Sequence, residues 1–169
     1  MTLYSIWLTL HFLIASGCGD KHLRTTSIDP IVNKAVISAD SVEVFVVDGA
    51  MAFNYDKGFI EKPGSGFVDL LGEHYATEYL GCMDEETRQD VEELILNPRN
   101  YSTSILACDF CPGYGLRYCS SEDPVTVLIC QSCTVISIQD ETGNRLDGGN
   151  ILPSQNKWSQ VIEKLLESR

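Results

Sequence analysis

Five of the seven cysteines fall between Cys108 and Cys133, spaced as residues that bind a metal or one another. Cys108 and Cys111 make one Cys-x-x-Cys pair and Cys130 and Cys133 a second, with 18 residues between Cys111 and Cys130. Four converging thiolates can hold zinc tetrahedrally, and this spacing suits a structural site. In an oxidising compartment the same thiols form disulfides instead. A bridge inside one Cys-x-x-Cys is strained in an extended strand, so cross-hairpin bridges between the two pairs are the expected geometry. Cys82 and Cys119 are left for a further disulfide. Zinc and disulfides both stay open. Thioredoxin-like chemistry would need one pair at a helix N-terminus, where the dipole lowers the thiol pKa. Cys130 and Cys133 lie between two β-type runs and Pro112 follows the other pair. Redox catalysis is therefore not expected.

A hairpin must position these pairs. Gly115–Tyr118 and Val125–Ile129 are β-type runs joined by the turn-forming Ser120–Pro124. With Cys119 and Val125 flanking the turn, Cys130 falls opposite Tyr114 and Cys133 opposite Cys111. Both Cys-x-x-Cys ends then meet at the open end of the hairpin. Ser104–Ala107 and Thr134–Ile138 are further short β-type runs, and the brief connections between all four suit an antiparallel meander.

Other chemistry is sparse. Of the three histidines, His11 and His22 lie near the N-terminus and His74 alone lies in the body of the chain. A Cys82–His74 nucleophile pair would lack an orienting acid and an oxyanion site, so His74 reads as an ordinary side chain. No Gly-x-Ser-x-Gly, phosphate loop, paired-histidine motif or calcium loop occurs. Asp147–Asn150 reads as a turn rather than a set of oxygen ligands. No catalytic residue is expected.

The first residues carry a different signal. Leu3–Gly17 contains no formal charge, which is short for a membrane span but suits a signal-peptide core. It ends Ala15-Ser16-Gly17-Cys18 and turns polar at once, resembling the lipobox at which bacterial lipoproteins are cleaved and acylated on cysteine. Residues 1–17 are then a signal peptide, and Cys18 is the lipidated first residue of an exported, membrane-anchored chain. No Lys or Arg precedes the run and Ala15 replaces a larger aliphatic residue, so an ordinary secretory signal or a short uncleaved anchor stays open. The formal charge of −12, from 24 acidic and 12 basic residues, repels phosphate backbones and argues against nucleic acid as a partner. Contact with the membrane is expected through the lipid rather than a basic face. The protein partner is open.

Residues 18–41 read as the anchored N-terminus and a polar tether, punctuated by Asp29-Pro30, and residues 42–169 as one α+β domain. Val42–Val47 is a strand closed by Asp48-Gly49, and 54–66 a loop. Phe67–Leu80 has helical spacing at Val68, Leu71 and Tyr75 but fits a strand equally. Asp84–Leu96 is a helix with an Asp84 cap and an apolar stripe of Val91, Leu94 and Ile95; Asn97-Pro98 ends it. Pro153 and Ser154 mark the start of an amphipathic helix, Ser154–Leu166, built on Trp158, Val161, Ile162, Leu165 and Leu166. The expected fold is an antiparallel meander of about four to five strands with two or three helices packed on it.

Three tracts carry a further resemblance: Leu94–Tyr101, Cys111-Pro-Gly-Tyr-Gly-Leu-Arg117 and Val127–Cys133. Together they resemble a loosely defined group of small exported bacterial lipoproteins whose function is not known. The resemblance implies a shared α+β fold centred on Cys111, Cys130 and Cys133. It implies no activity or ligand, and Cys82, Cys108 and Cys119 lie outside its pattern. The sequence thus points to a non-catalytic envelope or binding module with a structural cysteine cluster. The alternative is a zinc-binding or thiol-active protein using Cys108, Cys111, Cys130 and Cys133.

Overall fold

Alternating apolar residues on most strands, and apolar stripes on the helices, produce two layers: one antiparallel sheet and the helices that cover one of its faces. The computed structural model describes residues 24, 26–48, 65–70, 73–104 and 109–167. Helix α1 spans Pro30–Ser38, strand β1 Ser41–Asp48, β2 Ser65–Leu70, β3 Glu73–Cys82 and helix α2 Glu85–Leu96. Strands β4 Tyr114–Cys119, β5 Val125–Cys130, β6 Val135–Gln139 and β7 Arg145–Asn150 follow, and helix α3 Gln155–Glu167 ends the described chain. The fold is α+β.

The seven strands run in the order β2-β3-β1-β4-β5-β6-β7, each antiparallel to its neighbours. Three of the four expected meander strands are β4, β5 and β6; β7 continues them at one edge, and β1, β3 and β2 extend the sheet at the other. The strand count therefore exceeds expectation. Phe67–Leu80 is extended throughout its described part, in β2 and β3, despite its helical spacing. Cross-strand pairing outweighs local periodicity there. The strand expected at Ser104–Ala107 falls largely on residues outside those described, as does most of the loop at 54–66.

Val42 and Val44 of β1, Leu116 and Tyr118 of β4, Val127 and Ile129 of β5, and Ile136 and Ile138 of β6 form the helix-facing side of the core. Val32 and Val36 of α1, Val91 and Ile95 of α2, and Trp158 and Ile162 of α3 pack on them. Burying each such side chain contributes about 1.5–3 kcal/mol before conformational entropy is counted. Asp84 caps α2 as expected, its carboxylate accepting from the Thr87 amide at 2.9 Å and the Thr87 hydroxyl at 2.7 Å.

Two elements depart from the sequence reading. Asp29-Pro30 is a helix start: Asp29 accepts from the Ile31 amide at 2.8 Å, and Pro30 occupies the first turn, where its missing N–H costs nothing. Ile28, Val32, Ala35, Val36 and Ala39 belong to the core, so the domain boundary drawn at residue 42 is corrected to include α1. Asp147–Asn150, expected to be a turn, lies within β7 and pairs with β6. Gly148 permits this, with φ +123° and its Cα so close to β6 that an added Cβ would lie 2.4 Å from the Ile136 carbonyl oxygen.

Candidate functional site

β5 ends at Cys130, and Gln131–Thr134 turn the chain back into β6. Thr134 adopts φ 50°, in the left-handed region, and its amide donates to the Gln131 carbonyl at 3.2 Å. This turn folds Cys133 back onto Cys130, with Cα atoms 5.6 Å apart, inside the range that a disulfide spans. Cys130 and Cys133 form a disulfide-capable pair within one Cys-x-x-Cys. The expected cross-hairpin bridging is corrected for a physical reason: the pair lies on a turn, not in an extended strand.

The register is corrected as well. Tyr114 pairs with Ile129 and Tyr118 with Val125, one residue away from the expected alignment. The Gly113 amide donates to the Ile129 carbonyl at 2.9 Å, so the strand pairing continues past Tyr114 at the end where Cys130 lies. Cys133 is then not opposite Cys111. Cys130 is fully buried and Cys133 nearly so, whereas Cys111 is an exposed free thiol preceding β4. Cys18 and Cys108 lie outside the described residues. Among the described residues no three cysteine, histidine or acidic side chains converge as metal ligands.

Cys82 and Cys119 are free thiols at the ends of β3 and β4. Cys82 pairs with Glu43 and Cys119 with Ser41, on opposite sides of β1. Two inter-strand spacings separate their backbones by about 9.5 Å or more, beyond disulfide reach. They do not bridge each other. The Cys82 sulfur lies 3.4 Å from the Tyr79 hydroxyl, and that hydrogen bond leads the causes that push Tyr79 up to about 12. Burial, followed by the Glu43 charge, raises the Cys119 thiol, the opposite of activation. His74 pairs with Asp69 at the other end of β3, eight residues from Cys82, or about 26 Å along an extended strand. That distance removes a Cys82–His74 nucleophile pair.

No family model, curated protein or solved structure matches this chain.

One polar junction among the described residues was not anticipated. Arg24 Nη2 lies 3.2 Å from Asp147 Oδ2 while Nη1 bonds Oδ1, giving a two-point ion pair. The Arg24 amide donates to the Tyr101 carbonyl at 3.0 Å, and its guanidinium lies 5.7 Å from the centre of the Tyr101 ring. Asp147 also accepts from the amides of Asp29 at 2.7 Å and Gly148 at 2.6 Å. Burial opposes its charge, but the Arg24 hydrogen bond and these two amides outweigh it and hold the carboxyl below its usual range. Tyr101 is anchored in turn, donating to the Ile95 carbonyl at 2.9 Å. Asn100 donates to the carbonyls of Glu93 and Leu94 at 3.2 and 3.1 Å, closing the end of α2. The tract Leu94–Tyr101 is thus a junction of helix, sheet and N-terminal segment. It clamps structure together and presents no reactive group.

A groove of about 220 Å³ between α2 and α3 is lined by Asp90, Glu93, Lys157 and Lys164. Lys164 pairs with Asp90 at 2.9 Å and Lys157 with Glu93 at 3.9 Å, so its charges neutralise one another. These exposed pairs contribute little.

Proposed function

We propose that this chain is an exported, lipid-anchored module with a non-catalytic envelope or binding role, in which the cysteine turn serves as scaffold. The observation that carries this reading is the buried Cys130–Cys133 pair, set in disulfide-capable geometry. Such a pair suits an oxidising compartment. The uncharged Leu3–Gly17 run ending at Cys18 supports export and acylation from the sequence side. The likeness to small exported bacterial lipoproteins supports the same reading.

The test is the mass, lipid and metal content of the chain recovered non-reduced from the cell that makes it. The expected product begins at Cys18, carries acyl chains, and is about 2 Da light for one bridge. A chain of full unprocessed mass recovered from the cytoplasm would refute the proposal. One zinc per chain with Cys108, Cys111, Cys130 and Cys133 reduced would replace it with the metal-binding reading.

A further inference from the structure

We propose that the β7 edge of the sheet, around Arg24, Ile31 and Leu152, is the face held against the bilayer; this rests on the anchor at Cys18 proposed above. The structural basis is where the chain becomes fixed. Arg24 is tied by its side chain to Asp147 on β7 and by its amide to Tyr101. Five residues, 19–23, separate it from Cys18. Six Cα–Cα steps reach at most about 20–22 Å. An acyl anchor at Cys18 therefore holds Arg24 within that distance of the headgroups.

The sheet is wider than this leash is long. From β7 to β2 there are six inter-strand spacings, or about 29 Å. The β2 edge cannot rest on the membrane with β7 uppermost, because Cys18 would be pulled out of the lipid. The covalent limit excludes every orientation that carries Arg24 more than about 22 Å from the headgroups.

The surface at this edge suits the contact. Arg24 neutralises Asp147, removing a charge that would need water. Ile31 and Leu152 are about half exposed, at 47% and 46%. Both connect to the same junction. The Ile31 amide donates to Asp29, whose own amide donates to Asp147. The Leu152 amide donates to Asn150, whose carbonyl accepts from Ser102, the neighbour of Tyr101. Apolar side chains beside the leash can enter the interfacial layer with no basic patch.

Trp158 is the only tryptophan after residue 17 and is buried, so it supplies a constant background. The full acylated protein is placed in phosphatidylcholine vesicles doped with headgroup-spin-labelled phosphatidylcholine. Ile31→Trp and Leu152→Trp are expected to be quenched at least about twofold more than Tyr79→Trp, whose strand lies five spacings from β7. Equal quenching at the three positions, or stronger quenching at Tyr79, would overturn the orientation while leaving the anchor intact. Protein that fails to float with the vesicles would overturn the anchor and the orientation together. A Gly-Ser insert of about thirty residues after Lys21 gives the leash an r.m.s. span of about 30–36 Å, longer than the sheet is wide, and should erase the contrast. Persistence of the contrast would overturn the leash as its cause.

Discussion

Arg24 and Asp147, 123 residues apart in sequence, meet as a two-point ion pair that fixes the first described residue to the last strand of the sheet. Asp147→Asn removes the carboxylate and leaves a half-buried guanidinium without its counter-charge. A loss of about 2–3 kcal/mol at neutral pH is expected, measured by urea unfolding. The folded pKa of Asp147 lies below its usual 3.8, so the stabilisation is complete well above that value and drains as pH falls through the folded value. The difference between the two proteins should therefore close in strong acid.

Gly148→Ala places a Cβ 2.4 Å from the Ile136 carbonyl oxygen at a backbone φ of +123°. Backbone must move, and a loss on the order of 3 kcal/mol is expected. Gly149→Ala meets only the Tyr101 ring, at 3.5 Å. Its cost should stay below about 1 kcal/mol. Thermal or urea midpoints of the pair separate a conformational requirement from simple crowding.

Asn100→Ala leaves the Glu93 and Leu94 carbonyls at the end of α2 without their side-chain donor. About 2 kcal/mol should be lost, with faster amide exchange in the last turn of α2. Exchange in α3, whose interior has its own hydrogen bonds, should change less.

Alkylation of the non-reduced protein should label Cys82 and Cys111 first and Cys119 more slowly, because Cys119 is half-buried and its thiol is raised. Cys130 and Cys133 should resist until reductant is added. Breaking a bridge that closes so short a loop is expected to cost only about 2 kcal/mol, so the reduced protein stays folded. Peptide mapping after differential labelling reads both outcomes.

Helices α2 and α3 were legible because Asp84, Pro153 and the apolar stripes act within their own segments. The strands of the β4–β6 meander were legible for the same reason, through β-branched runs and turn residues. β7 was not. Arg145–Asn150 has the composition of a turn, and it becomes a strand only because β6 supplies partners and Gly148 lets the chains approach. α1 carries a readable sign, an Asp cap followed by proline, but the same dipeptide also punctuates a loop. The cysteine site failed on a one-residue register difference and on a turn whose left-handed Thr134 nothing in the sequence announces. The Arg24–Asp147 junction pairs a residue from an apparent tether with one from an apparent loop. Neither segment alone shows it.

The same ion pair has a consequence for the order in which the protein is made. Synthesis proceeds from the N-terminus, so Arg24 has no counter-charge until residue 147 has been made. A contact that closes so long a loop pays its entropy late, after the local hairpins and helices have formed. Until then Arg24 has only its backbone bond to Tyr101 to tie it to the body of the chain. On the export reading proposed above, a leader would stay open to processing until the last strand arrives and Asp147 takes hold of Arg24.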